Sequence, residues 1–326
     1  MKKIIALMLA LVMVLGLVGC GGGSSEAPAG DVDFSTMNVT AIVPYDAGGG
    51  TDAVMRGWAD AAKDNFKAIT VENRSGAGGA TGMLYGASAK PDGSILTMVT
   101  VELATLEAMG NNAGLTYTMF KPIMMVNSAA SAITVKADDD RFNTLEDFIE
   151  YSKANEVTVG NSGIGAIWHL AAAGLAKTAG TEFKHIGYDG ANGAITDLLG
   201  GHIDAVAVSY AEVNAFVQSG DLKVLAVMAN DRLDAIPEVP TAKECGYEAV
   251  LGTWRGLAVP ASTPDETVAK LYEIFSAAAD SDAFKEFMAN TNNVIDIMDG
   301  ASFNALIADQ LEMYTGLVAD LGLKVG

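Results

Sequence analysis

Gly48-Gly49-Gly50-Thr51-Asp52-Ala53 lies between a short β-branched stretch, Val39–Val43, closed by Pro44, and a helical pattern running to about Asn65. A helix that begins on glycines leaves its first backbone N–H groups bare. They carry a partial positive charge and hold a small anion without any basic side chain. Gly160-Asn161-Ser162-Gly163-Ile164-Gly165 has the same form, following the strand pattern Val157–Val159 and opening a helix over about 166–179. Two such helix starts facing each other across a cleft suit the two ends of a dicarboxylate. Arg255 offers a planar guanidinium that matches a carboxylate with paired hydrogen bonds. In so acidic a chain it equally suits an ion pair at the surface or a hinge. His169, one turn inside the second helix, either reaches a ligand, braces the loop or is a hydrogen-bonded core residue. Tyr188 and Trp254 each join an apolar ring to one donor, and either wall a cleft or pack.

Enzyme chemistry is poorly supported. Gly48 to Ala53 fits G-x-G-x-x-A, and Glu72 stands where a ribose-binding acid would, so a dinucleotide-dependent enzyme is formally allowed. The glycines also serve if they only make a tight turn, and the export signal below argues against a cofactor scarce outside cells. No serine lies in G-x-S-x-G, because Ile164 follows Gly163 two residues after Ser162. His169, His185 and His202 form no H-E-x-x-H, and no Cys/His spacing suits zinc, so neither metal nor cofactor is expected.

Met1-Lys2-Lys3 followed by the apolar run Ile4–Gly19 has the form of a secretory signal. Residues 1–20 read as a lipoprotein signal ending in its lipobox Cys: Leu17-Val18-Gly19-Cys20 resembles a bacterial lipobox, in which Cys20 becomes the lipidated first residue of the mature protein. Residues 21–35, opening on Gly21-Gly22-Gly23-Ser24-Ser25, are expected to form a flexible tether. Two acyl chains give stable anchoring. The expected location is the outer face of the cytoplasmic membrane or the periplasm. Removing Lys2 and Lys3 leaves 18 basic residues against 40 acidic ones, a net charge of −22. That balance argues against nucleic acid or anionic lipid as a partner. With Cys20 lipidated, only Cys245 remains, so no intrachain disulfide forms and a monomer is expected.

The rest of the chain alternates strand and helix patterns. Ile69–Glu72, Ile95–Val101, Ala132–Val135, Val157–Val159, Thr181–Ile186, Ala205–Val208 and Val224–Met228 read as strands. Helices are expected after Thr144, which opens a capping-box pattern with Asp147, over Pro264–Ala279 and over Phe303–Leu321. This grammar implies βαβ units and a largely parallel sheet. The simplest architecture is α/β with two domains. Residues 36–134 plus 251–326 form the first and 135–250 the second, with a ligand cleft between them.

At these residues the chain resembles the tripartite tricarboxylate transporter substrate-binding receptors, also called Bug proteins. The resemblance runs through Val43–Asp52, Val71–Gly82, Pro91-Asp92-Gly93, Gly163-Ile164-Gly165 with His169, Tyr188-Asp189-Gly190, Leu199–Asp204, Pro237–Thr241 with Glu244 and Gly246, and Trp254-Arg255-Gly256 with Pro260. It implies a two-domain periplasmic-binding-protein type II fold, each domain a mixed, mostly parallel sheet flanked by helices, closing like a clamshell. It implies capture of a di- or tricarboxylate, or a related organic acid, by backbone amides and ordered waters, and delivery to integral membrane subunits of a transporter. A receptor that feeds a signalling kinase is the alternative. The ligand-binding set it implies is Tyr45, Gly49, Gly50, Thr51, Asp52, Gly163, Ile164, Gly165, Ala166, His169, Tyr188, Gly190, Asp204 and Arg255. Tyr45 replaces a frequent Phe, Ala166 a frequent Ser or Thr, and Arg255 a frequent aromatic residue. The last change points to a ligand with an additional carboxylate.

Overall fold

A computed structural model describes residues 32–323. The signal segment, Cys20 and most of the tether lie outside the described residues. Asn38–Val43 forms β1, where β-branched residues and Ala alternate, and pairs in parallel with β2 (Ala68–Asn73) and β3 (Ile95–Thr100). Helix α1 (Gly50–Ala62) crosses from β1 to β2, and α2 (Ala80–Ala87) from β2 to β3. The apolar face of α1 buries Val54, Met55 and Trp58. The Trp58 indole donates to Phe275 O at 2.9 Å and meets the Phe275 ring edge-on at 5.1 Å. A buried side chain of this size contributes about 1.5–3 kcal/mol by leaving water.

Helix α3 (Glu102–Met109) follows β3 directly, and then β4 runs for 17 residues, Phe120–Lys136. The sequence pattern shows only its last turnless apolar stretch, Ala132–Val135; the remainder is extended because it pairs along nearly its whole length. β9 (Gly252–Pro260) lies antiparallel to Phe120–Ala130, and β10 (Val294–Asp299) covers the other edge there. β7 (Ala205–Ser209) and β8 (Leu222–Val227) pair antiparallel with the far end of β4. β5 (Thr158–Asn161) pairs in parallel with β7 and with β6 (Lys184–Gly187). The resulting path is β2-β1-β3-β9-β4-β7-β5-β6. It is parallel where strand–helix–strand units run, and antiparallel wherever β4 or β9 takes part.

Five helices complete the second group of strands and the return: α4 (Leu145–Ala154), α5 (Ile167–Ala179), α6 (Ala191–Leu199), α7 (Tyr210–Ser219) and α8 (Asp265–Asp280). Two more, α9 (Asp282–Asn290) and α10 (Gly300–Leu321), flank β10. Thr144 caps α4 as its pattern predicts, its hydroxyl accepting from Asp147 N at 3.1 Å. Among the described residues no helix is long and apolar enough to cross a membrane.

Candidate functional site

Among the helices that begin without a side-chain cap on their N-cap residue are α1 at Gly49, α5 at Ala166 and α6 at Gly190. These three starts converge on one cavity, with Tyr45, Glu102, Ser162, Trp168, Glu212 and Arg255 in its wall. A helix start needs acceptors for its first amides. Two of the three find carboxyls from distant elements. Glu212 of α7 accepts from Gly50 N at 3.4 Å, and Glu102 of α3 accepts from Ile167 N at 3.1 Å. The α1 and α5 starts, expected to grip the two ends of a ligand, are thus each met by a carboxyl of the chain itself. The first amides of α6 have no acceptor among the described residues.

Arg255 reaches the cavity from β9 and is 2% exposed. Its Nε donates to Thr51 Oγ1 at 3.0 Å and its Nη1 to Asn127 Oδ1 at 2.6 Å, both neutral acceptors. Nη2 forms no hydrogen bond with the described residues and points at Gly50, where a Cβ would stand 2.8 Å from it. Burial pulls the Arg255 pKa down, while the nearby Glu212 and Glu102 push it back up. Tyr45 is buried and its hydroxyl lies 2.9 Å from Thr100 Oγ1, which in turn donates to Glu102. Burial first, and the Glu102 charge second, raise the Tyr45 pKa well above its ordinary value, so the phenol stays protonated. One guanidinium, one phenol and two carboxyls therefore share one site.

Of the residues read from the sequence, Tyr45, Gly49, Gly50, Thr51, Gly190 and Arg255 line this cavity. The others lie outside its lining. Asp52 accepts from Gly48 N at 2.8 Å, Arg56 Nε at 2.9 Å and Asn73 Nδ2 at 2.9 Å, which fixes the loop ahead of α1. Gly163 packs on Gly78, Ile164 is 45% exposed, and Gly165 lies against Leu106 and Met109. Gly165 has φ +86°, a conformation open to glycine at little cost. Ala166 is the buried N-cap of α5. His169 Nδ1 accepts from Gly165 N at 3.1 Å and its ring meets His185 edge-on at 4.5 Å. It braces the loop. Tyr188 donates to Asp197 at 2.6 Å. Asp204 accepts from Thr158 N at 2.9 Å and from Arg141 at 2.8 Å. Trp254 packs on Phe303 and donates to Gln310 at 2.6 Å. Glu72, the candidate ribose-binding acid, pairs with Arg74 at 2.7 Å away from the cavity.

Glu102, Glu212, Thr100, Trp168, Asn192 and Thr253 are lining residues that the sequence reading missed. A signal existed for one of them. Ser209 and Glu212 have capping-box spacing, and Glu212 Oε2 accepts from Ser209 N at 2.9 Å.

A family profile described as tripartite tricarboxylate transporter family receptor matches residues 54–323. The chain belongs to that family. A relative from Cupriavidus necator, named UPF0065 protein in gbd 5′ region, is 30% identical over 296 residues, covering 89% of this chain and 89% of its own. A TctC solute-binding protein from Polaromonas, solved with no ligand, is 38% identical with a TM-score of 0.65, covering 88% of this chain and 99% of that one. The periplasmic binding protein BugD is 29% identical with a TM-score of 0.83, covering 88% and 98%. The fold is therefore the two-domain α/β clamshell of periplasmic binding proteins. As a family member the chain is an extracytoplasmic solute-binding receptor and not an enzyme.

Proposed function

We propose that this receptor captures a small organic acid in the cavity walled by Arg255 and the α6 start, and hands it to the membrane subunits of a tripartite tricarboxylate-type transporter. The observation that carries this reading is Arg255: a fully buried guanidinium with a free Nη2 facing a cavity. A buried guanidinium with a donor left unpaired is costly, and a bound carboxylate removes that cost. The bare amides of α6 add a second anion-binding element beside it.

In the same reading, residues 36–134 plus 251–326 form one domain and 135–250 the other, and ligand closes the cleft between them. Lipidation at Cys20, anchoring through it and a monomeric state complete the proposal.

The test is a thermal-shift screen of the purified protein against organic acids, with the recovered compound analysed for chemical change. A ligand at 100 times its Kd adds about 2.7 kcal/mol of stability. For a protein of this size that raises Tm by roughly 4–5 °C. A screen in which no organic acid moves Tm, or in which the bound acid is consumed, defeats the proposal.

A further inference from the structure

Arg255 owes its orientation to a residue outside the cavity lining. β4 and β9 run antiparallel, and Met125 stands opposite Gly256. Continued in that register, Val126 would stand opposite Arg255. The register shifts by one residue instead, and Asn127 takes that position. Residues directly opposed in a ladder project to the same face. The bulge therefore exchanges an apolar neighbour of the guanidinium for an amide. Asn127 is fully buried. Its Nδ2 donates to Val294 O of β10 at 2.6 Å and to Ser128 O at 3.1 Å. Carbonyls only accept, so these two hold the amide nitrogen on their side and leave Oδ1 for Arg255 Nη1, at 2.6 Å. One buried side chain thus joins the β10 backbone to the guanidinium. With Thr51 Oγ1 on Nε, it fixes the guanidinium plane and leaves Nη2 beside Gly50 at the cavity wall.

The chemistry of this neighbour matters as much as its place. An aspartate of the same shape would form a buried ion pair with Arg255 and take up the charge that a ligand carboxylate needs. The amide accepts the same hydrogen bond without charge.

We propose that Asn127 is the positioning residue of the anion site. It locks the guanidinium in one orientation, and as an uncharged acceptor it reserves the Arg255 charge for the ligand. This rests on the reading of Arg255 as the carboxylate donor and adds the residue through which that donor is aimed.

The experiment has a ligand-free arm and a binding arm. The chain has five arginines, so in protein labelled with nitrogen-15 arginine the Arg255 signals are found by their loss in Arg255→Lys. A guanidinium held at Nη1 by a buried acceptor turns slowly about its Cζ–Nε bond, and wild type should show separate Nη signals for Arg255. Asn127→Ala should speed that rotation by about ten-fold or more. A single averaged Nη signal in wild type, or an unchanged rate in folded Asn127→Ala, overturns the positioning role. The wild-type signal decides even where neither variant folds, which thermal unfolding checks. The binding arm titrates succinate, glutarate and citrate calorimetrically into wild type, Asn127→Ala and Asn127→Asp. Aspartate keeps the shape that alanine loses, so a merely structural residue would lose more affinity as Asn127→Ala. The proposal requires the reverse order, with a loss of about ten-fold or more in Asn127→Asp. The structural order overturns the charge role. Binding of none of the three acids by wild type counts against carboxylate capture, and the rotation rates then decide the role of Asn127 alone.

Discussion

Gly50→Ala isolates the contact on which the site depends. Gly50 is the first residue of α1 and has ordinary helical backbone, so alanine there costs nothing in φ and favours the helix by up to about 1 kcal/mol. The added Cβ, however, would stand 2.8 Å from Arg255 Nη2 and 3.2 Å from Glu212 Oε1. The first distance is shorter than real methyl contacts, so something must move. Arg255 cannot turn away freely, because Thr51 and Asn127 hold its other nitrogens at 3.0 and 2.6 Å. The guanidinium must therefore leave its place, which takes a charged donor from the ligand carboxylate, and a charge-assisted hydrogen bond contributes roughly 1.5–3 kcal/mol. Affinity should fall about ten- to a hundred-fold, while Tm stays within a few degrees because the helix gain offsets the clash. The assay is calorimetric titration with the acid that the thermal-shift screen identifies, alongside Gly316→Ala in α10. A Cβ at Gly316 meets nothing within 4 Å, so that variant should gain up to about 1 kcal/mol and bind normally. A folded Gly50→Ala protein with wild-type affinity would refute the placement of ligand beside Arg255.

Burial pushes both His169 and His185 down to about 4, with the neighbouring His185 charge also acting on His169. The unfolded rings titrate near 6.5, so below that pH the unfolded state binds more protons. Stability is therefore fully present above about 6.5 and lost as pH falls toward 4, on the order of 3 kcal/mol per ring at most. Urea midpoints that stay level between pH 7 and 4.5, or that fall equally in His185→Phe, would contradict this. Asp204→Asn should cost about 2 kcal/mol by weakening the bonds from Thr158 and Arg141, with ligand affinity unchanged; denaturant unfolding and titration together check it, and lost affinity at full stability would return Asp204 to the site. Cys20→Ser should leave the protein exported but released from membranes, as fractionation would detect; undiminished membrane partitioning would remove Cys20 as the anchor.

The parts of the site legible in the sequence are those built by local rules. The β1–α1 turn announces itself by β-branched residues, consecutive glycines and an amphipathic helix, and Tyr45, Gly49, Gly50 and Thr51 all reach the cavity. The α5 turn has the same signature, yet only its flanks, Ser162 and Ile167, reach the cavity with Trp168. Gly163 and Gly165 instead pack against Gly78, Leu106 and Met109, elements far off in sequence. Glu102 was hidden for a different reason. Seven of the eight residues of α3 are buried, so the helix lacks the polar face that gives period 3.6 its contrast. Glu212 could be found as a capping residue, but its second role is to meet Gly50, 162 positions away. No local pattern encodes a contact at that range.

Those two long-range contacts have a consequence for closure. Glu102 follows β3, among the first group of strands, and caps α5, which follows β5 of the second. Glu212 opens α7 after β7 of the second group and caps α1 after β1 of the first. Separating the groups would strip an acceptor from each helix start and leave each carboxyl with one partner fewer. A hydrogen bond to a charged group contributes roughly 1.5–3 kcal/mol net, less at the 3.4 Å of Gly50 N to Glu212. Under the proposed two-domain reading, the pair favours the arrangement that sets Glu102, Glu212 and Arg255 around one cavity. The lower the free energy of that closed state without ligand, the smaller the fraction of binding energy lost to reaching it.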